Sequence, residues 1–478
     1  MLKKNEEYIV EIIDNGFQGE GIAKIDGFTI FIPQAIKGEK IKIKILKVLT
    51  NFSYGKIIEI IEKSKDRIDT DCNTYTRCGG CNLRHMTYNK TLELKKDIVQ
   101  NSINKNVKQD VNVNNVIGME NPLYYRNKLQ YPLGFINKER VMGIYSERTH
   151  NIIPTTKCMI QNKLCQDVAN YAFEYIKDNK IKVYDEETNT GTIRHIIVKI
   201  GIKTNEILLT LVINDNRFKD YTEDFIQYMI LKFPEVKAIV LNYNSQKTNV
   251  ILGTKCETIF GRGYIYDILG EYKFKISPLS FYQVNPIQTE ILYNTAIQYV
   301  SGGIPDNPYK KDKTKNNVGA GLVSAKKEEI ALDLYCGIGT IGIFASKYFK
   351  KVYGIEIIEQ AIEDAKYNSK INDIDNIEFY SGDVEKLLPQ IIEREGLNPN
   401  VVFVDPPRKG LDINTIELLK KIEPKKIIYI SCNPATLARD LGLLEEKYEI
   451  KEVQPVDMFP YTSHVECVSI LKLRENRK

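Results

Sequence analysis

The second half of this chain repeats one pattern: a short apolar run, a loop, then a segment of helical period. From about Glu329 the runs IALDLY, KVYGIE, IEFYS, VVFVD and IIYIS alternate with segments such as IIEQAIEDAKYNSKIN, whose apolar residues recur at helical spacing. Strands that alternate with helices in this way build a sheet covered on both faces, so the pattern predicts a doubly wound α/β domain.

The first loop of that domain carries Gly337, Gly339 and Gly342, which spell G-x-G-x-x-G, and Glu356 stands 19 residues beyond Gly337 at the end of the next strand. Glycines let a ligand approach the backbone closely and the acid can hold ribose hydroxyls, an arrangement that fits NAD and S-adenosylmethionine equally. The wider context separates them. Asp383, in SGD, stands where an acid could hydrogen-bond an adenine, and the Asp405-Pro406-Pro407-Arg408 corner ends the fourth strand. Such D-P-P corners recur in methyltransferases that act on planar nitrogenous groups.

The last strand of the series ends at Ser431-Cys432-Asn433, and Pro434 suits the first turn of a helix, where its missing N–H costs nothing. Cys432 is therefore expected at a helix N-terminus, where unpaired amides and the helix dipole favour a thiolate, the form that attacks carbon. A buried, inert cysteine is the plain alternative.

Upstream, residues 1–66 alternate apolar and basic residues, as in EKIKIKILKV, with glycines between the runs. A small β-barrel is expected, with Lys40, Lys42, Lys44 and Lys47 outward and available to phosphates. Next, Cys72, Cys78 and Cys81 are spaced C-x5-C-x2-C, and Cys158 is the candidate fourth partner with Cys165 in reserve. Four thiolates suit structural zinc or an iron–sulfur cluster, and spacing alone does not choose. Between Asn121 and Ile160 six Lys or Arg stand against two Asp or Glu, interleaved with aromatics. Cations among aromatics suit unstacked RNA, with Arg126 and Lys128 as candidate contacts. Runs such as TIRHIIVKI and EILLTLVI make residues 67–270 an α+β unit, and residues 271–478 form the α/β domain with a polar, flexible insertion at about 301–328.

Nine cysteines in odd number, no apolar leader and no run of membrane-spanning length point to a cytoplasmic protein without a disulfide framework. The net charge of +5 confines any polyanion site to a local patch.

Taken together, C-x5-C-G-G-C, FYQVNP, LDLYCGIGT, VDPPRKG, SCNPATLARD and FPYTSHVECVSIL resemble the RNA (uracil-5-)-methyltransferases of the TRAM-containing, iron–sulfur branch. NGFQGEGIAKIDGFTIFIPQAIKGE resembles the TRAM module itself, an OB-like RNA-binding barrel. The resemblance covers essentially the whole chain. It implies a multidomain fold: an N-terminal TRAM barrel, a central α+β domain with an iron–sulfur cluster and a C-terminal doubly wound, Rossmann-like methyltransferase domain. By position it implies S-adenosylmethionine contacts from Gln283, Tyr335, Glu356 and Asp405, and also from Thr340 and Asp383. It makes Cys432 the nucleophile, Glu466 the base, and Cys72, Cys78, Cys81 and Cys158 the ligands of a [4Fe–4S] cluster. The implied partner is RNA, foremost 23S rRNA with tRNA as the alternative, with no DNA or membrane partner, and the protein is expected to be a monomer. The competing reading, an NAD-binding iron–sulfur redox enzyme, leaves Cys432, Glu466 and the DPPR corner without a role.

Overall fold

The computed structural model describes residues 2–147, 149–301 and 329–475. The insertion expected at 301–328 lies almost entirely outside these residues.

The N-terminal strands form one six-stranded sheet in the order Glu7–Glu11, Lys40–Val48, Phe52–Glu62, Phe28–Ile32, Gly21–Ile25, Asp14–Asn15. Its two edge strands are joined only by Ile12 and Ile13, whose N–H groups donate to Glu39 and Ile22 at 2.8 and 2.9 Å, so the sheet closes on itself. The period-two alternation sets its inside. Ile41, Ile43 and Ile45 are buried with Ile30, Ile32 and Ala23, and the lysines between them face out.

The central sheet has seven strands in the order Lys255–Gly261, Val236–Tyr243, Ile207–Ile213, Ile193–Ile200, Lys128–Ile136, Glu139–Tyr145, Ile152–Pro154. Helices Lys163–Asp178 and Thr222–Lys232 cover one face through Val168, Ala172 and Phe225. A hairpin, Ile265–Leu269 with Tyr272–Ile276, lies on the other face through Ile265 and Ile276, and reaches the next unit through Leu269 and Phe274.

The third unit is the expected doubly wound sheet, in the order Ile377–Ser381, Lys351–Glu356, Ile330–Leu334, Val401–Val404, Lys426–Ser431, Glu466–Leu473, Tyr448–Val456. The first five strands are parallel, and Glu466–Leu473 alone runs against them, pairing antiparallel with both of its neighbours. Helices Val384–Glu395, Ile413–Ile422 and Pro434–Leu444 pack on one face. Helices Pro286–Ser301, Thr340–Ser346 and Glu359–Ile371 pack on the other. One further helix joins the first group from far upstream: Tyr88–Asn106 buries Val99 and Ile103 in the same cluster as Leu437 and Leu441. The sequence range 67–270 groups this helix with the central unit, but its apolar face serves the C-terminal sheet.

From Ile330–Leu334 the chain winds outward through Lys351–Glu356 to Ile377–Ser381 and then returns to Val401–Val404 on the other side of Ile330–Leu334, so the winding reverses between those two central strands. This opens a crevice at the carboxyl ends of the strands, where such sheets hold their ligands.

Candidate active site

Five of the six residues expected at the cofactor gather along that carboxyl edge. Tyr335 and Thr340 follow the strand Ile330–Leu334, Glu356 ends Lys351–Glu356, Asp383 follows Ile377–Ser381, and Asp405 follows Val401–Val404. Tyr335 holds φ +65°, a left-handed conformation rare outside glycine and common where a loop is shaped for a ligand. Gly339 has φ +81°, and a Cβ there would lie 2.7 Å from the Phe379 ring, so no other residue fits.

The loop amides that could cradle a phosphate are already taken by carboxylates. Gly342 N–H donates to Asp333 Oδ2 at 2.7 Å, and Gly337 N–H to Glu356 Oε2 at 3.2 Å. Asp333 is fully buried, and desolvation, with Asp405 and Glu356 nearby, pushes its carboxyl up to about 8. Asp405 keeps some surface at the crevice but is packed densely enough that desolvation raises it to about 7. Glu356 and Asp405 stand at the crevice with Asp333 behind them inside the sheet, and a bound cation such as a sulfonium favours their ionised forms where a dinucleotide's pyrophosphate opposes them.

Gln283 enters from another direction, in the loop between the hairpin and helix Pro286–Ser301, with its carbonyl accepting from Asn127 Nδ2 at 3.0 Å. The rest of its motif is tied to the segment before Glu466. Asn285 Nδ2 donates to Met458 O at 3.0 Å, and Gln288 Nε2 to Asp457 O at 3.1 Å. Asp457 in turn forms a buried ion pair with Lys95 and accepts from Tyr88 Oη at 2.7 Å.

Cys432 and Glu466 come together because their strands are antiparallel neighbours. Ser431 pairs with Cys467, so Cys432 leaves one strand where Glu466 enters the next. Of the three cysteines near the crevice, Cys336 and Cys467 are buried and only Cys432 is partly exposed. The helix after it starts as expected, with Pro434 in its first turn, but the N-cap is Asn433, whose side chain accepts from Ala435 N–H at 3.1 Å. Cys432 therefore stands one residue outside the helix, and the expected resting thiolate is not what its surroundings favour. Burial, then Glu466 and Asp405, push its thiol up to about 11, with Arg408 opposing. Glu466 is itself raised to about 8 by burial and by Asp405, again opposed by Arg408.

Several residues that build the site lay within or beside the motifs without an assigned role. Asp440 is fully buried; its Oδ2 accepts from Leu411 N–H at 2.8 Å and Tyr429 Oη at 2.6 Å, and it pairs with Arg439 at 2.7 Å. Arg439 reaches on to the carbonyls of Lys409 and Leu411, and Asn433 Nδ2 donates to Arg408 O at 3.0 Å. The SCNPATLARD and VDPPRKG segments thus lock together, placing Arg408 beside the cysteine and the acids. Tyr293, on helix Pro286–Ser301, shares a 3.2 Å hydrogen bond with Thr340 Oγ1. In a sequence it is indistinguishable from a core tyrosine.

The four cysteines Cys72, Cys78, Cys81 and Cys158 line a single cavity of about 280 Å³ on the central unit. Cys165 is not among them; it lies in the core of helix Lys163–Asp178. Among the described residues no group of three or more His, Cys, Asp or Glu is arranged to hold a metal ion. The same cavity is lined by Arg84, Arg126, Lys128 and Tyr131, so Arg126 and Lys128 face the cysteines, not an open RNA-binding surface. Buried donors among these, Arg84 Nε and Nη1, Arg126 Nε and Tyr131 Oη, have no partner in the protein.

The barrel also departs from expectation. Lys42 pairs with Glu7 at 2.9 Å and Lys40 with Glu62 at 3.5 Å, so half of the supposed phosphate face is neutralised. Phe31, Phe52 and Tyr54 instead form a half-exposed aromatic cluster, with centroids 5.4 to 6.2 Å apart, on the strands Phe28–Ile32 and Phe52–Glu62. Exposed Lys24, Lys47 and Lys56 lie on or beside the same strands.

Comparison with known proteins agrees with this architecture. Residues 319–474 match the family model of tRNA (Uracil-5-)-methyltransferase, and residues 2–58 match the TRAM domain. The chain is 45% identical to an uncharacterized RNA methyltransferase of Clostridium acetobutylicum over 98% of each chain. It is 41% identical to another from Oceanobacillus iheyensis over 99% of this chain and 98% of that one. Among solved structures it is similar to the Pyrococcus abyssi tRNA (uracil-54, C5)-methyltransferase in complex with S-adenosyl-L-homocysteine, with a TM-score of 0.74 and 25% identity over 97% of this chain and 99% of that chain. A TRAM barrel, a doubly wound sheet with an acid-lined crevice and a full-length likeness to RNA methyltransferases lead to one statement: the chain belongs to the S-adenosylmethionine-dependent RNA (uracil-5-)-methyltransferase family.

Proposed function

We propose that this enzyme makes 5-methyluridine in 23S rRNA, in the cytoplasm and as a monomer, through a covalent bond between Cys432 and uracil C6. The observation that carries the reading is the juxtaposition of a partly exposed thiol and a buried carboxyl at the ends of neighbouring strands, beside the cofactor crevice.

Uracil C5 is too weak a nucleophile to accept a methyl group unaided. Cys432 adds to C6 and makes C4–C5 an enolate. Its proton has a nearby acceptor in Asp405, whose raised value lies close to neutrality, which leaves Glu466 free for the later step. Bound S-adenosylmethionine supplies the electrophilic methyl, and Gln283, Tyr335, Thr340, Glu356, Asp383 and Asp405 hold it. Glu466 then takes the C5 proton, the C5=C6 bond re-forms, and Cys432 leaves as its bond to C6 breaks. The barrel's aromatic cluster offers rings for unpaired bases and its lysines offer charge for phosphates.

The cysteine cavity fits a [4Fe–4S] cluster held by Cys72, Cys78, Cys81 and Cys158. The unpartnered guanidinium and hydroxyl donors around it match an anionic group with sulfur acceptors. Anaerobically prepared protein should contain about four irons per chain, and stoichiometric zinc without iron would overturn the assignment. tRNA is the second reading, favoured by the substrate named for the Pyrococcus abyssi enzyme.

RNA carrying 5-fluorouridine at the target tests the mechanism, because fluorine does not leave as a proton does. A cofactor-dependent adduct stable to denaturation should map to Cys432 and be absent in Cys432→Ala; an adduct on Cys336 or Cys467 would refute the reading. Mapping 5-methyluridine in 23S rRNA and tRNA from cells lacking the protein decides the substrate.

A further inference from the structure

Glu466 pairs with Val456 at the very start of its strand, and the segment Tyr461–Val465 that leads into it is held from outside the methyltransferase sheet. Asn285, Gln288 and Lys95 hold the chain just before this segment, at Asp457–Phe459, and Asn82, directly after Cys81, holds the end that leads into Glu466. Its N–H and that of Leu83 donate to Tyr461 O at 3.2 and 3.0 Å. Its Oδ1 accepts from Ser463 N–H at 2.9 Å, and its Nδ2 donates to Ser463 Oγ at 3.0 Å and to Gln18 O at 2.5 Å. The Arg84 guanidinium lies 4.8 Å from the centre of the Tyr461 ring, and Tyr125 Oη donates to Pro460 O at 3.3 Å. Tyr461 itself holds φ +62°, a conformation that needs support from its surroundings.

One amide side chain therefore joins the barrel at Gln18, the cysteine loop at Asn82 and the approach to the carboxyl at Ser463. Cys432 shares the pairing of the two strands through Ser431 and Cys467 but has further anchors of its own. It rides on the strand Lys426–Ser431 and on Asn433 and Asp440, none of which Asn82 touches.

We propose that Asn82 is a positioning residue for Glu466, acting on removal of the C5 proton and not on the addition of Cys432 or the transfer of the methyl group. The proposal rests on Glu466 being the base. Shortening Asn82 removes both side-chain contacts to Ser463 and the one to Gln18, loosens the Ser463–Val465 stretch and lets the carboxyl drift from the C5 proton, and a misplacement of ~1 Å costs on the order of 100-fold in a positioned step.

The test is rapid quench with cofactor labelled in its methyl group and RNA transcript as substrate, separating methylated protein–RNA adduct from free methylated RNA. Asn82→Ala should form adduct at the wild-type rate and release product at least ~10-fold more slowly, so that adduct accumulates. Asn82→Asp, which keeps the acceptor for Ser463 N–H, should recover most of the release rate. A purely structural role would lower the active fraction and the iron content together while leaving the ratio of adduct to product unchanged; that result overturns the proposal. Should Asn82→Ala not fold, Asn82→Ser, too short to reach both Ser463 and Gln18, carries the same comparison. Absence of any adduct in the wild type with 5-fluorouridine RNA would instead refute the covalent mechanism, so the two failures are distinguishable.

Discussion

Replacing Glu466 with glutamine should make the protein more stable at neutral pH, and the gain should vanish in acid. The carboxyl titrates near 4.5 when free and at about 8 in the fold, because burial and Asp405 oppose its ionisation. The folded state therefore binds this proton more tightly than the unfolded state. The resulting stability is complete below the free value and is lost as pH rises toward the folded one. With those two values, linkage gives a loss of about 2–3 kcal/mol between about pH 5 and pH 7, at 1.36 kcal/mol per unit where the two states differ by a full proton. Glutamine keeps the shape and does not titrate. The difference in unfolding free energy between Glu466→Gln and the wild type, from urea titrations across this range, should thus widen by that amount in favour of the variant. A difference that is flat with pH, or one that favours the wild type increasingly as pH rises, would refute the assignment of a protonated resting carboxyl.

The same ionisation governs turnover, since Glu466 must be charged to accept the C5 proton; product release should rise with pH as a single ionisation through about 8, and a release rate independent of pH between 6 and 9 would count against the role. Asp440→Ala strips the partners from Leu411 N–H, Tyr429 Oη and Arg439, and should cost ~3 kcal/mol by denaturant titration and weaken S-adenosylhomocysteine binding measured by calorimetry. Lys95→Met leaves Asp457 buried without its cation and should cost ~3–5 kcal/mol, whereas the double variant Lys95→Met, Asp457→Leu should recover much of that loss.

What was legible in the sequence follows the range of the interactions concerned. The inward set Ile41, Ile43 and Ile45 was readable because a period of two is local. The pairing of Lys42 with Glu7 was not, because it depends on the register between two strands. The glycine loop and its acid Glu356 stood out by spacing, but Asp333, which caps Gly342 from inside the sheet, looked like any residue of a buried strand. The thiolate expected at Cys432 followed from one local feature, the helix start. Its reversal comes first from burial and then from Glu466 and Asp405, which approach from two other strands. Arg126 and Lys128 looked like RNA ligands among aromatics, and only the fold turns them toward the cysteine cavity.

The helix Tyr88–Asn106 also has a bearing on how the protein is made. It completes the same face as helix Pro434–Leu444, and Gln109, just beyond it, donates from its backbone to Glu445, 336 residues further along the chain. At ribosomal speeds of ~5–20 residues per second, that apolar face waits on the order of tens of seconds before its partner leaves the tunnel. Through that interval Val99 and Ile103 are adhesive surface, a point at which nascent chains on one polysome could cross-pair and a binding site for a holding chaperone. For the same reason a C-terminal fragment starting at residue 271 should aggregate on expression, and supplying residues 67–120 in trans should rescue its solubility.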